Sequence, residues 1–136
     1  MVLRIAARPA IVEGFDISTI SGTNATGSMV HFEEGAPRRN RYRHFRIRTV
    51  TQADDPAMMG ELVGRHFAGL IARGDKLPDL VVVDGGITQT RAARDQLLRL
   101  GRDDVAVIGL AKTHEEIHRS DAPTIRLPEN SAALKF

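Results

Sequence analysis

Two carboxylates, each near the end of a short apolar run, are the residues in this chain best placed to do chemistry. Asp84 closes Pro78-Asp79-Leu80-Val81-Val82-Val83-Asp84 and is followed by Gly85-Gly86. Asp16 lies near the end of Ile11-Val12-Glu13-Gly14-Phe15-Asp16-Ile17, ahead of the turn-forming stretch Ser18 to Thr23. Oxygen donors in a chain without cysteine suit a hard divalent cation, Mg2+ or Mn2+. Such an ion positions and polarises a phosphodiester and generates a hydroxide nucleophile. Between the two carboxylates the chain carries arginines at 38, 39, 41, 43, 46 and 48 in a stretch without an acid. The guanidinium fork pairs with phosphate, so this run is a candidate nucleic-acid footprint. Together these features point to metal-dependent phosphodiester hydrolysis. Each also has a structural reading: Asp84 as a cap for a helix after Gly86, Asp16 as a holder of the turn at Ser18, the arginines as charge that protects a sheet edge.

The elements that must position these residues follow from hydrophobic periodicity. Leu80–Val83 is a continuous β-branched-rich run, the pattern of a strand buried on both faces. Ile11–Ile17 reads as a first strand and Ala25–Glu33 as a second, in which Met29, His31 and Glu33 alternate with Ser28, Val30 and Phe32. Glu34-Gly35-Ala36-Pro37 is a hairpin connection. Arg41–Val50 is predicted as a third, edge strand with a bulge or twist between Tyr42 and Phe45, where the apolar parity changes. A helix follows, with Asp55 as its N-cap and Pro56 as its first residue. Its apolar stripe is Met59, Leu62, Val63, His66, Phe67, Leu70 and Ile71, and Gly60, Gly64 and Gly69 are expected to let it pack closely on the sheet. His66 on that stripe reads as a core or boundary histidine. A second helix spans Thr88–Leu100 and is closed by Gly101, with Arg91 and Asp95 expected to pair across one turn. Val105–Leu110 is another buried parallel strand, Lys112–Asp121 a polar segment, and Thr124–Leu127 a short last strand. Pro128–Ser131 resembles a helix lead-in. Three strands, helix, strand, helix, strand give a mixed five-stranded sheet of order 3-2-1-4-5 with flanking helices. In that order the strands bearing Asp16 and Asp84 are adjacent and parallel, so both carboxylates emerge at one rim.

The 136 residues suffice for a single domain with a real core, and 42% hydrophobic against 26% charged residues is the balance of a soluble globular protein. Tryptophan is absent and aromatics are 4%, so the core must be aliphatic. Zero cysteines exclude disulfides and thiolate metal sites and suit a reducing cytosol. No apolar run reaches the ~18–20 residues of a membrane span. The net charge is only +2, but it is built from sixteen arginines and three lysines, Lys76, Lys112 and Lys135.

The motifs also occur in the order of a known family. Phe15-Asp16-Ile17-Ser18, Gly22-Thr23, Phe32-Glu33-Glu34-Gly35, Tyr42-Arg43-His44-Phe45, Asp54-Asp55, Leu77-Pro78-Asp79-Leu80 with Asp84-Gly85-Gly86, Leu110-Ala111-Lys112, and Leu127-Pro128 before Ser131-Ala132-Ala133-Leu134 resemble the endonuclease domain of UvrC. UvrC is the C subunit of the nucleotide-excision-repair nuclease. The resemblance implies an RNase H-like fold over residues 1–136, with its C-terminal helix truncated. It implies a cytoplasmic bacterial endonuclease that uses Mg2+ or Mn2+ and cuts damaged duplex DNA 5′ of the lesion, on a UvrB–DNA complex when part of full-length UvrC. It places Asp16, Asp84 and Asp55 in the catalytic set, with Asp16 and Asp84 as metal ligands. Arg39, Arg41, Arg43, Arg46, Arg48 and Lys112 would then contact DNA.

The chain also departs from the family. The family's catalytic histidine lies on a helix after the segment that Ser131-Ala132-Ala133-Leu134 matches, and this sequence ends before it. Ser131-Ala132-Ala133-Leu134 lacks the family's proline, Thr19 stands where the family usually has histidine, and Ile87-Thr88-Gln89 replaces Lys-Gly-Gln. His114 and His118, in the segment after the last parallel strand, are the alternative histidines for the rim. Three functions follow: an incomplete or shortened UvrC-type nuclease, a catalytically impaired UvrC-like DNA-binding or scaffold module, and an α/β small-molecule binder holding phosphate at Gly85-Gly86.

Overall fold

The structure is a computed structural model and describes residues 9–20, 24–48, 54–111, 116–119 and 122–126. Its strands are β1 (Ile11–Ile20), β2 (Asn24–Glu33), β3 (Ala36–Pro37), β4 (Arg43–Arg46), β5 (Leu80–Asp84), β6 (Ala106–Ala111), β7 (Glu116–Arg119) and β8 (Ala122–Arg126). The helices are α1 (Asp55–Arg73) and α2 (Ile87–Arg99), with a short 3-10 helix at Arg39–Arg41. All strands join one sheet of order β3-β2-β1-β5-β6-β7-β8, with β4 also paired to β2. The predicted run of third, second, first, fourth and fifth strands is therefore present as β4-β2-β1-β5-β6, and the sheet is wider than the five expected. Strands β1, β5 and β6 are mutually parallel; β2, β4, β7 and β8 join antiparallel.

Local chemistry explains the elements. Glu34 and Gly35 both have positive φ, 52° and 79°, the pattern of the two-residue turn whose twist matches a hairpin. The parity change between Tyr42 and Phe45 is not a bulge. The chain makes the 3-10 turn at Arg39–Arg41, Tyr42 returns to extended backbone, and β4 begins at Arg43. The N-cap of α1 is Asp54 rather than Asp55: its side chain accepts the Ala57 N–H at 3.1 Å. Asp55 and Pro56 are then the first two helical residues, where proline's missing N–H is harmless. Gly74 ends α1 with φ 69°, a left-handed backbone that favours glycine.

The core lies between the sheet and the helices. Phe15, Met29, Phe45, Val81, Val83 and Val107 meet Met59, Leu62, Val63, Phe67 and Leu70 of α1 and Ala93 and Leu97 of α2. Both helices thus cover one sheet face and pack on each other. Gly60 and Gly64 serve that contact rather than the sheet, whereas a Cβ on Gly69 would meet only Arg73 of the same helix. A Cβ on Gly64 would stand 2.7 Å from the Gln96 Oε1 of α2, and one on Gly60 would stand 3.5 Å from its Nε2. Gly27 is the glycine used on the sheet side, lying under Leu62. Residues of opposite parity, Leu80, Val82, Ile108 and Leu110, are buried on the other face. The expected Arg91–Asp95 pair does not form among the described residues. Part of the polar segment after Lys112 is the strand β7, because β6 offers it a free edge and Ile117 alternates with charged neighbours. The expected last strand is β8, which begins two residues earlier than predicted. The helix lead-in from Pro128 lies outside the described residues.

Candidate active site

The position of Asp16 beside Asp84 begins at the opposite end of their strands. The N–H groups of Ala10 and Ile11 donate to Asp79 Oδ2 at 3.0 and 2.9 Å. The Asp79 N–H donates in return to the Ile11 carbonyl at 2.9 Å. One side chain thereby fixes where β1 starts relative to β5. The parallel register then runs from Val12 opposite Leu80 to Phe15 opposite Val83. Asp16 and Asp84 come next, one strand spacing apart, about 4.8 Å. Because side chains alternate and Phe15 and Val83 face the helices, both aspartates belong to the other face. Asp16 is exposed and Asp84 half-buried.

The turn after Asp84 is closed by Gln89. Its Oε1 accepts the Gly86 N–H at 2.8 Å, and Thr90 Oγ1 donates to the Gly86 carbonyl at 2.9 Å. A Cβ on Gly85 would collide with the Gln89 amide, so glycine is required there by close approach. The Asp-Gly-Gly-x-x-Gln spacing is thus a strand-to-helix turn that holds Asp84 at the rim.

Helix α1 runs antiparallel to β1. Leu62 lies against Gly27, the partner of Ile17, whereas Leu70 and Arg73 share a cavity of about 270 Å3 with Glu13. The first turn of α1, with Asp55, is therefore at the same end of the sheet as Asp16 and Asp84. Asp55 is exposed, and the structure does not gather it with the other two: among the described residues no three His, Asp or Glu side chains form a group able to hold a metal ion. Two adjacent carboxylates nevertheless fit Mg2+ or Mn2+, which are held by one or two carboxylates, with waters and substrate phosphates completing the shell.

The arginine run divides between the two faces. Phe45 is buried against α1, so Arg43 shares the helix side. Its guanidinium lies 4.4 Å from the Phe45 ring centre, and its Nη1 donates to His66 Nδ1 at 3.4 Å. Arg41 and Arg43 line the cavity that holds Glu13, His66 and Arg73. Arg46 has the opposite parity and lies on the aspartate face. Arg39 is exposed in the 3-10 helix, and Arg48 follows β4 with its N–H donating to Glu61 Oε2 at 2.7 Å. Lys112 and His114 lie outside the described residues. His118 is in β7 opposite Gly109, and its side chain is not described.

Beneath the arginine-bearing edge is a polar cluster that the sequence reading did not assemble. Glu13, His31 and His66 are each no more than 2% exposed. His31 Nδ1 and His66 Nε2 donate to the two carboxylate oxygens of Glu13 at 2.6 and 2.8 Å, and His31 Nε2 donates to Glu33 Oε2 at 2.9 Å. Burial pushes the Glu13 carboxyl up, but the hydrogen bonds and charges of His66 and His31 outweigh it and leave it below its ordinary 4.5. The His31 hydrogen bond likewise lowers Glu33. The signal was present in the strand pattern: Glu13 and His31 have the inward parity of Phe15 and Met29.

Residues 1–136 match the family described as the UvrC RNAse H endonuclease domain. The chain belongs to that family. Its relatives include UvrABC system protein C of Methanococcoides burtonii, 48% identical over 98% of this chain, and that of Dehalococcoides mccartyi, 46% identical over 98%. The chain spans only 22–23% of the length of these relatives. Among solved structures, an endonuclease V from Ciona intestinalis in complex with inosine-containing DNA has a TM-score of 0.56 at 19% identity, covering 77% of this chain and 46% of that one. Human ENDOV gives 0.51 at 19% identity over 93% of this chain and 52% of that one. These likenesses establish that the UvrC-family chain has an RNase H-like fold.

Proposed function

We propose that this chain is the metal-dependent phosphodiesterase unit of a UvrC-type excision nuclease, cutting damaged duplex DNA 5′ of a lesion on a UvrB–DNA complex within a longer protein. The observation that carries the reading is the placement of Asp16 and Asp84 side by side on adjacent parallel strands, on the sheet face away from both helices. The two carboxylates would hold Mg2+ or Mn2+, which supplies charge for the phosphodiester and a nucleophile derived from water. Asp84 is held at the rim by the Gly85–Gln89 turn, and Asp16 by the register that Asp79 sets. Arg46 offers positive charge to the DNA backbone on the same face, with Arg39, Arg48 and Lys112 as further candidates, whereas Arg41 and Arg43 line the cavity on the helix side. Asp55, freed of the capping role that Asp54 takes, is a candidate third carboxylate at the same end of the sheet.

The competing reading, a DNA-binding module with impaired catalysis, draws its support from Ile87, which stands in the first turn of α2 where the family usually has lysine. Cleavage of lesion-bearing duplex in Mn2+, compared between wild type and Asp84→Asn, separates the two. The nuclease reading expects cleavage that falls about 100–1000-fold in the variant, the loss of several kcal/mol of transition-state stabilisation. Equal cleavage by both proteins would overturn it, and cleavage by neither, with DNA binding intact, favours the impaired module.

A further inference from the structure

The strand registers place more than the two aspartates on the rim of the sheet face away from the helices. Asp16 is opposite Ser28 in β2, and Ser28 is opposite His44 in β4. Asp84, Asp16, Ser28 and His44 therefore form one row across four strands, all of the parity that faces away from the helices. Ser28 Oγ and His44 Nδ1 are 3.3 Å apart. His44 is exposed, and Arg46, two residues on, extends the same face opposite Thr26.

We propose that His44, oriented by Ser28, is a positioning residue that grips the phosphate backbone of the DNA strand lying on the aspartate pair. The proposal rests on the nuclease reading above. With the serine hydroxyl donating to Nδ1, the ring proton sits on Nε2, which is then a donor suited to a phosphate oxygen. Two strand spacings, about 10 Å, separate His44 from Asp16. A separation of that size spans only a few phosphates of one strand, so His44 meets the backbone within a few nucleotides of the carboxylates. The edge strand thus contributes to the nuclease face through His44 and Arg46, while Arg43 is turned to the helix side.

The test is a walk of single neutral methylphosphonate substitutions along a labelled DNA strand, read as affinity for wild type, His44→Ala, His44→Arg and Ser28→Ala. His44→Ala should weaken binding about 5–10-fold, the effect of losing one solvent-exposed hydrogen bond. It should also become insensitive to the methylphosphonate at one position, to which wild type is sensitive. His44→Arg should restore both affinity and sensitivity there, and Ser28→Ala should show a smaller loss at the same position. Thermal midpoints should be unchanged, since His44 is exposed. Unchanged affinity in His44→Ala, or methylphosphonate effects that simply add to it at every position, would overturn the proposal. Cleavage by Asp84→Asn reads the metal site separately: a dead Asp84→Asn with additive methylphosphonate effects removes His44 alone, whereas a fully active Asp84→Asn removes the nuclease reading beneath it.

Discussion

The two faces of one strand pair carry acidic and imidazole groups under opposite conditions. On the helix side, Glu13, His31 and His66 are sealed from solvent, and both oxygens of Glu13 are taken by histidine nitrogens. On the other side, Asp16 and Ser28 lie three residues away along the same two strands, with His44 opposite Ser28 on β4, and Asp16 and His44 are open to water. The first group closes on itself and holds β1, β2 and α1 together. The second lies where a phosphodiester and a hydrated cation can reach. Residue type does not distinguish them; parity and burial do.

The largest expected effect breaks the buried side of this comparison. Glu13→Ala leaves two buried histidines without their carboxylate and should cost about 3–5 kcal/mol. That corresponds to roughly 10–20 °C in thermal midpoint for a chain of this size. Glu13→Gln should recover part of it. A midpoint within about 2 °C of wild type in Glu13→Ala would mean that the cluster does not hold the fold.

Acid titration probes the buried face through Glu13. The folded-state pKa of Glu13 is lowered, so its contribution is fully present above its ordinary 4.5 and is lost as pH falls through the lowered folded value. Unfolding free energy should therefore decline below pH 4.5, and less steeply in Glu13→Gln, as denaturant titrations across that range will read. Equal slopes would remove Glu13 from the acid transition.

A smaller effect connects the distant rim to the aspartate pair. Asp79→Ala frees the N–H groups of Ala10 and Ile11 at an exposed position, costing about 1–2 kcal/mol. By loosening the β1–β5 register it should also weaken Mn2+ binding several-fold, although Asp79 lies at the other end of β5. A stability loss with metal affinity unchanged would show that the register holds without this clamp.

Much of this architecture was legible in the sequence because the strands are strongly patterned. The uniform apolar run at Leu80–Val83, the alternation at Met29–Glu33 and the helical stripe from Met59 to Ile71 led to the right order of strands and to the adjacency of Asp16 and Asp84. What was missed depended on contacts between elements. A cap shared between two consecutive aspartates is decided by one hydrogen bond, to Ala57, which local propensity cannot assign to Asp54 over Asp55. The glycines of α1 show that a close contact is needed, but only the placement of α2 shows that Gln96 is the partner. The arginine run reads as one footprint in sequence. The 3-10 turn and the alternation of β4 divide it between two faces. Glu13 and His66 are fifty-three residues apart, and their pairing follows only from packing α1 on β1.

The central claim is that Asp16 and Asp84 act together on a metal ion, on the face opposite the buried cluster. It is tested most directly by Mn2+ binding, measured from water proton relaxation or calorimetry in wild type, Asp16→Asn, Asp84→Asn and the Glu13→Gln control. The account predicts one Mn2+ site, weakened at least tenfold by either aspartate substitution and unchanged in folded Glu13→Gln. Binding unaltered in both aspartate variants, or lost in Glu13→Gln alone, would contradict it.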